Sequence, residues 1–139
     1  MIPSLNENGY LPRGIHKAAL SEIRQRFGTH SLKRKKLFEG IISLIHLLSK
    51  HKGGIKRFLL NGSYTTSAES PEDYDCILIL KRDFDFNSPD VEQLRTAKKL
   101  FGAHLFTFIE DDVVMYRRLI DFFGHDRDQR QKGLVEVIL

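Results

Sequence analysis

The chain predicts an α+β domain: a small mixed sheet of about four strands with helices packed on it. Three observations support this reading. Four short apolar runs, at residues 55–60, 73–80, 103–109 and 134–139, have strand length and strand composition. Stretches with apolar residues three and four apart surround them, as amphipathic helices require. Glycines stand at the joints, at Gly28, Gly53-Gly54, Gly102 and Gly124. The resulting order is helix, helix, strand, strand, helix, strand, helix, strand.

Residues 1–14 carry Pro3, Gly9, Pro12 and Gly14 and little periodicity, so they are expected to be an extended arm. Residues 16–27 place Ala19, Leu20, Ile23 and Phe27 on one helical face. Ser31 is the natural cap of the next helix, whose stripe of Leu32, Leu37, Phe38, Ile41, Ile42, Ile45 and Leu48 runs to about Lys52. Its first turn is Lys33-Arg34-Lys35-Lys36. Positive charge there opposes the helix dipole, which leaves either a solvated face or a contact with a polyanion such as RNA or a triphosphate. Ile55–Leu60 is the first strand, and residues 62–72 form a polar loop with room for one helical turn. Cys76-Ile77-Leu78-Ile79-Leu80 is apolar throughout, as in a strand covered on both faces. Ser88 or Asp90 can cap a helix to about Phe101, with Val91, Leu94, Ala97, Leu100 and Phe101 inward. Ala103–Ile109 alternates as a third strand. Glu110-Asp111-Asp112 leads a helix with Val113, Val114, Tyr116, Leu119, Ile120 and Phe123 inward, and the acids suit its N-terminus. Residues 125–132 form a charged turn before a last strand, 134–139.

At 139 residues and 41% hydrophobic content the chain is sized for one domain with one core, residues 1–139. It lacks a long apolar run and a basic-then-apolar N-terminus, so neither a membrane span nor a secretory signal is expected. With its single cysteine, Cys76, in an apolar strand, the expected location is the cytoplasm. The net charge of +4 is unevenly distributed. Residues 1–60 hold +9 and residues 61–139 hold −5. The acidic part contains the motif described next, and the basic part could meet nucleic acid.

That motif is Leu59-Leu60-Asn61-Gly62-Ser63, nine intervening residues, then Asp73-Tyr74-Asp75. On a strand, Asp73 and Asp75 point to the same side. Two adjacent carboxylates repel, so one takes a proton or both share a cation. Hard oxygen donors at a strand end suit Mg²⁺, which commonly takes substrate phosphates as further ligands. Gly62 permits close approach of backbone to phosphate, and Ser63 can donate from its hydroxyl and its N–H. Gly-Ser and Asp-x-Asp are each common as plain turn and strand-edge chemistry; the signal lies in the pair at this spacing. A second pair, Asp83 and Asp85, lies beyond the strand with no Gly-Ser partner and is expected to be loop solvation.

From about Ile55 to Leu80 the chain resembles the nucleotidyltransferase superfamily related to DNA polymerase beta, above all its small stand-alone minimal nucleotidyltransferases. Leu11-Pro12-Arg13-Gly14-Ile15-His16, Arg26-Phe27-Gly28 and Lys132-Gly133-Leu134-Val135-Glu136 are similar to a branch of small bacterial and phage domains described only as nucleotidyltransferase-like. The resemblance implies a nucleotide-binding, ATP-binding type of site. Asp73 and Asp75 would be catalytic and would hold two Mg²⁺ ions, and Gly62 and Ser63 would hold the triphosphate. The acceptor hydroxyl would belong to a protein, an RNA or a small molecule. It also implies a toxin–antitoxin or phage-defence setting for such small proteins. A catalytically weak relative that only binds nucleotide, RNA or protein is the alternative. A plain RNA-binding domain working through the basic N-terminal helices is a third. The family's third carboxylate has no counterpart on 103–109, whose polar members are His104 and Thr107. His104 could serve as base or be an interior histidine, and Glu136 could substitute if its strand lies beside Asp75. Arg127, Arg130 and Lys132 could reach substrate charge if their turn folds over the site, with Lys132 the chosen nucleotide-binding residue; otherwise the turn is a solvated connection.

Overall fold

The computed structural model describes residues 1–110 and 113–139, without the side chains of Lys52 and residues 113–116. It contains five strands and four helices: β1 (Ile15–Ala18), α1 (Leu20–Phe27), α2 (Leu32–Leu48), β2 (Ile55–Asn61), β3 (Tyr74–Leu80), α3 (Ala97–Phe101), β4 (Ala103–Ile109), α4 (Val113–Phe123) and β5 (Leu134–Val137). The strands form one mixed sheet in the order β1-β5-β2-β3-β4. β1 runs parallel to β5 and β3 parallel to β4, while β2 is antiparallel to both β5 and β3.

The sheet is covered on both sides, and the strand patterns follow from that. On one side Ile23 and Phe27 of α1 and Leu37, Ile41, Leu44 and Leu48 of α2 pack with Phe58, Leu60, Tyr74, Cys76, Leu78, Leu80, Val135 and Val137. On the other, Leu119 and Phe123 of α4 meet Leu59, Ile77, Ile79 and Leu134. Consecutive residues of β3 therefore enter different cores, which is why its sequence does not alternate. Each fully buried side chain of this size contributes about 1.5–3 kcal/mol. Cys76 is fully buried in this strand, and burial pushes its thiol pKa up.

Three expectations change. The sheet has five strands rather than four, because Ile15–Ala18 is a strand and not the start of a helix. The arm is tied down: Ile2 and Leu11 are buried, the Ile2 amide donates to Glu22, and Arg26 donates to the carbonyls of Ile2 and Pro3. The expected helix to Phe101 is a 3₁₀ stretch, Pro89–Thr96, then five α-helical residues; Ser88 caps nothing with its side chain. Ser31 does cap α2, accepting from the Arg34 amide at 3.1 Å. Beyond Leu48 that helix tightens into a 3₁₀ turn, Ser49–Gly54. The expectations for Asp111, Asp112 and the side chains of Val113, Val114 and Tyr116 lie outside the described residues. No helix among the described residues is long and apolar enough to cross a membrane.

Candidate functional site

β2 ends, and β3, β4 and β5 begin, at one end of the sheet, and the motif residues meet there. Asn61 is in register with Asp75, and Asp75 with His104. Opposed residues on adjacent strands share a face, so these three side chains point to the α4 side. Gly62 follows with φ +83° and ψ −165°, a region open essentially to glycine. A Cβ on Gly62 would lie 3.1 Å from both Cγ and Oδ2 of Asp75. The bend is thus packed directly against one carboxylate of the pair. Ser63–Thr65 then forms a single 3₁₀ turn, with Ser63 exposed.

The two acids differ. Asp73 precedes β3 and has Lys98 Nζ at 3.6 Å from its Oδ2. Asp75 is about as exposed and has His104 Nδ1 at 3.6 Å from its Oδ1. Burial raises the Asp75 pKa, and the charge of Asp73 adds to the rise, whereas His104 and Lys132 oppose it. Lys132 thus lies within electrostatic reach of Asp75. Its position is built from the backbone: the Asn61 amide side chain donates to the Phe123 carbonyl at 2.8 Å, and the Lys132 amide donates to Gly124 at 2.8 Å. The turn between them is braced by Asp126, which accepts from the amides of Asp128 and Arg130 and from the Tyr10 hydroxyl. Arg127 and Arg130 stay exposed, and Arg130 lies 3.9 Å from Asp128.

The loop after Gly62 is held from below by Arg34. Its guanidinium is buried and donates to the carbonyls of Phe27, Tyr64, Thr66 and Ala68. Within the basic run that was open to a polyanion contact, this residue turns inward, and Lys33 pairs with Glu72. Thr65 and Thr66 spend their hydroxyls on the carbonyls of Gly62 and Ser63, as turn residues do.

Glu136 does not join the site. β5 lies beside β2, not β3, and Glu136 is opposite Leu59 and paired with Arg57. Among the described residues, no group of three or more His, Cys, Asp and Glu is placed to hold a metal. Sequence reasoning missed Lys98 and Asn61. Lys98 offered no signal, whereas Asn61, a polar residue closing an apolar strand against the motif, did.

The fold and site define an α+β domain with a carboxylate pair set against a glycine bend at the sheet end. The chain belongs to DUF6932, a family of unknown function, which matches residues 3–138. No curated protein and no solved structure matches it significantly.

Proposed function

We propose that this protein is a metal-dependent nucleotidyltransferase-like transferase, passing a nucleoside monophosphate from a nucleoside triphosphate to a hydroxyl on a protein, RNA or small molecule. The observation that carries the reading is Gly62, held at positive φ against the Asp75 carboxylate, which follows Asp73 by two residues. The donor chemistry fits Mg²⁺: Asp73 and Asp75 would hold it through hard oxygens, and the mutual repulsion of the two acids is relieved by a cation. When bound, Mg²⁺ withdraws charge from phosphate oxygens and orients them. The chain's own part is positional. The Gly62 bend leaves room for a phosphate, Ser63 and Lys132 donate to its oxygens, and the acceptor oxygen attacks the α-phosphorus as the bond to pyrophosphate breaks. In this reading His104, on the next strand and level with Asp75, would take the acceptor proton.

The test is thermal stability during Mg²⁺ titration with each nucleoside triphosphate, for the native chain and Asp73→Asn/Asp75→Asn. The reading expects a rise in Tm that needs both metal and acids; an equal rise in the double variant overturns it. A second reading, a nucleotide-binding module without turnover, is favoured by the Lys98 ammonium already lying beside Asp73 and by no third acid being gathered among the described residues. Labelled triphosphate incubated with cellular RNA and protein separates the two: label transfer identifies the enzyme, and binding without transfer identifies the module. The toxin–antitoxin or phage-defence setting follows only from the resemblance.

A further inference from the structure

The two edges of the sheet are built differently. β1 is four residues long, carries the exposed Lys17, and has the N-terminal amine 3.4 Å from the Lys17 carbonyl. Short length, a lysine and a covering segment are the usual defences of an edge strand. Among the described residues β4 shows neither the short length nor the lysine. It is seven residues, Ala-His-Leu-Phe-Thr-Phe-Ile, with no lysine, proline or acid, and it pairs without a bulge along all of β3.

The direction of its open hydrogen bonds follows from one contact. The Glu110 amide donates to Leu80 of β3. By the two-residue period, the amides of Phe108, Phe106 and His104 also face β3, so those of Leu105, Thr107 and Ile109 face outward. Beside this row, Phe106 and Phe108 line a groove of about 660 Å³ with Phe122 of α4. Phe122 is 74% exposed and Ile109 is 40% exposed. The groove rim carries one charge of each sign, Arg118 and Asp121.

We infer that β4 pairs antiparallel with β4 of a second copy, joining two five-stranded sheets. The strand suits itself as partner. A two-fold axis at Thr107 sets Phe106 of each copy beside Phe108 of the other, an aromatic cross-strand pair. The strand has no charge to repel its image, and the rim offers Arg118 to the other copy's Asp121, as a two-fold interface requires. The inference is independent of nucleotide binding.

Sedimentation velocity on the full chain tests it, with circular dichroism as the folding control. The native chain is expected to sediment as a dimer at micromolar concentration. Thr107→Pro removes an outward amide without touching the β3 ladder and is expected to halve the mass. Phe122→Ser, at a position 74% exposed, is expected to weaken dimerisation at least tenfold and decides the matter if the proline variant does not fold. A native chain that is monomeric throughout overturns the inference. So does a dimer indifferent to both Phe122→Ser and Thr107→Pro, or a monomer whose β4 instead takes up an extended segment of another protein.

Discussion

Strand β3 has an Asp-x-Asp pair at each end, and the two have little in common beyond their letters. Asp73 and Asp75 enter the strand opposite the Gly62 bend, partly buried, with Lys98, His104 and Lys132 around them. Asp83 and Asp85 follow it in an exposed turn, where Asp85 accepts from the Asn87 amide. The first pair sits where four strand ends converge. Among the described residues the second pair has only its own turn for company. What gives a carboxylate pair chemical potential is what is packed against it, and here that is a backbone bend held in place by a distant arginine.

The comparison breaks most severely at that arginine. Arg34→Met leaves four carbonyls without their buried donor and is expected to cost about 3–5 kcal/mol in urea unfolding. Ligand-dependent stabilisation should vanish with it, since the loop that bears Ser63 loses its anchor. Gly62→Ala comes next. The left-handed backbone and the 3.1 Å approach to Asp75 should together cost about 1–3 kcal/mol, again read from urea midpoints.

Asp75→Asn should act with opposite sign on stability and on binding. Burial raises the Asp75 pKa above its unfolded value, so the folded state favours the protonated acid. Its ionisation therefore weakens the fold as pH rises from the unfolded carboxylate pKa through the folded one. The asparagine variant removes that loss: its Tm at neutral pH should exceed that of the native chain, while the Mg²⁺-dependent nucleotide shift disappears. The smallest effect sharpens the contrast. Asp83→Asn/Asp85→Asn is expected to change stability by less than about 0.5 kcal/mol and nucleotide response not at all, as for surface substitutions generally.

Local pattern placed Gly62 near Asp75 more readily than it showed the sheet around them. The Gly-Ser and Asp-x-Asp letters lie on two strands that are neighbours in sequence, so their meeting was readable. Ile15–Ala18 was not, because a four-residue strand is defined by its parallel partner β5, more than a hundred residues away. The same nonlocal pairing removes Glu136 from contention: only the sheet order shows that β5 flanks β2. Arg34 is a different case. It falls on the stripe Arg34, Leu37, Ile41, Leu44, Leu48, all buried, so helical periodicity already pointed its side chain inward. Its charge, among three lysines, hid the geometry. Pro89–Thr96 has helical spacing but settles as 3₁₀ with no side-chain cap and no buried residue to fix an α-helical face.

Cys76 gives all of this a native clock. The sulfur is sealed inside β3, one residue past Asp75. A thiol reagent can reach it only after the central strand has come away from its neighbours, so labelling times the opening of the strand that carries Asp75. A ligand spanning the carboxylates and the bend would clamp β2 to β3 and slow that labelling, without any tag or dye being built into the protein.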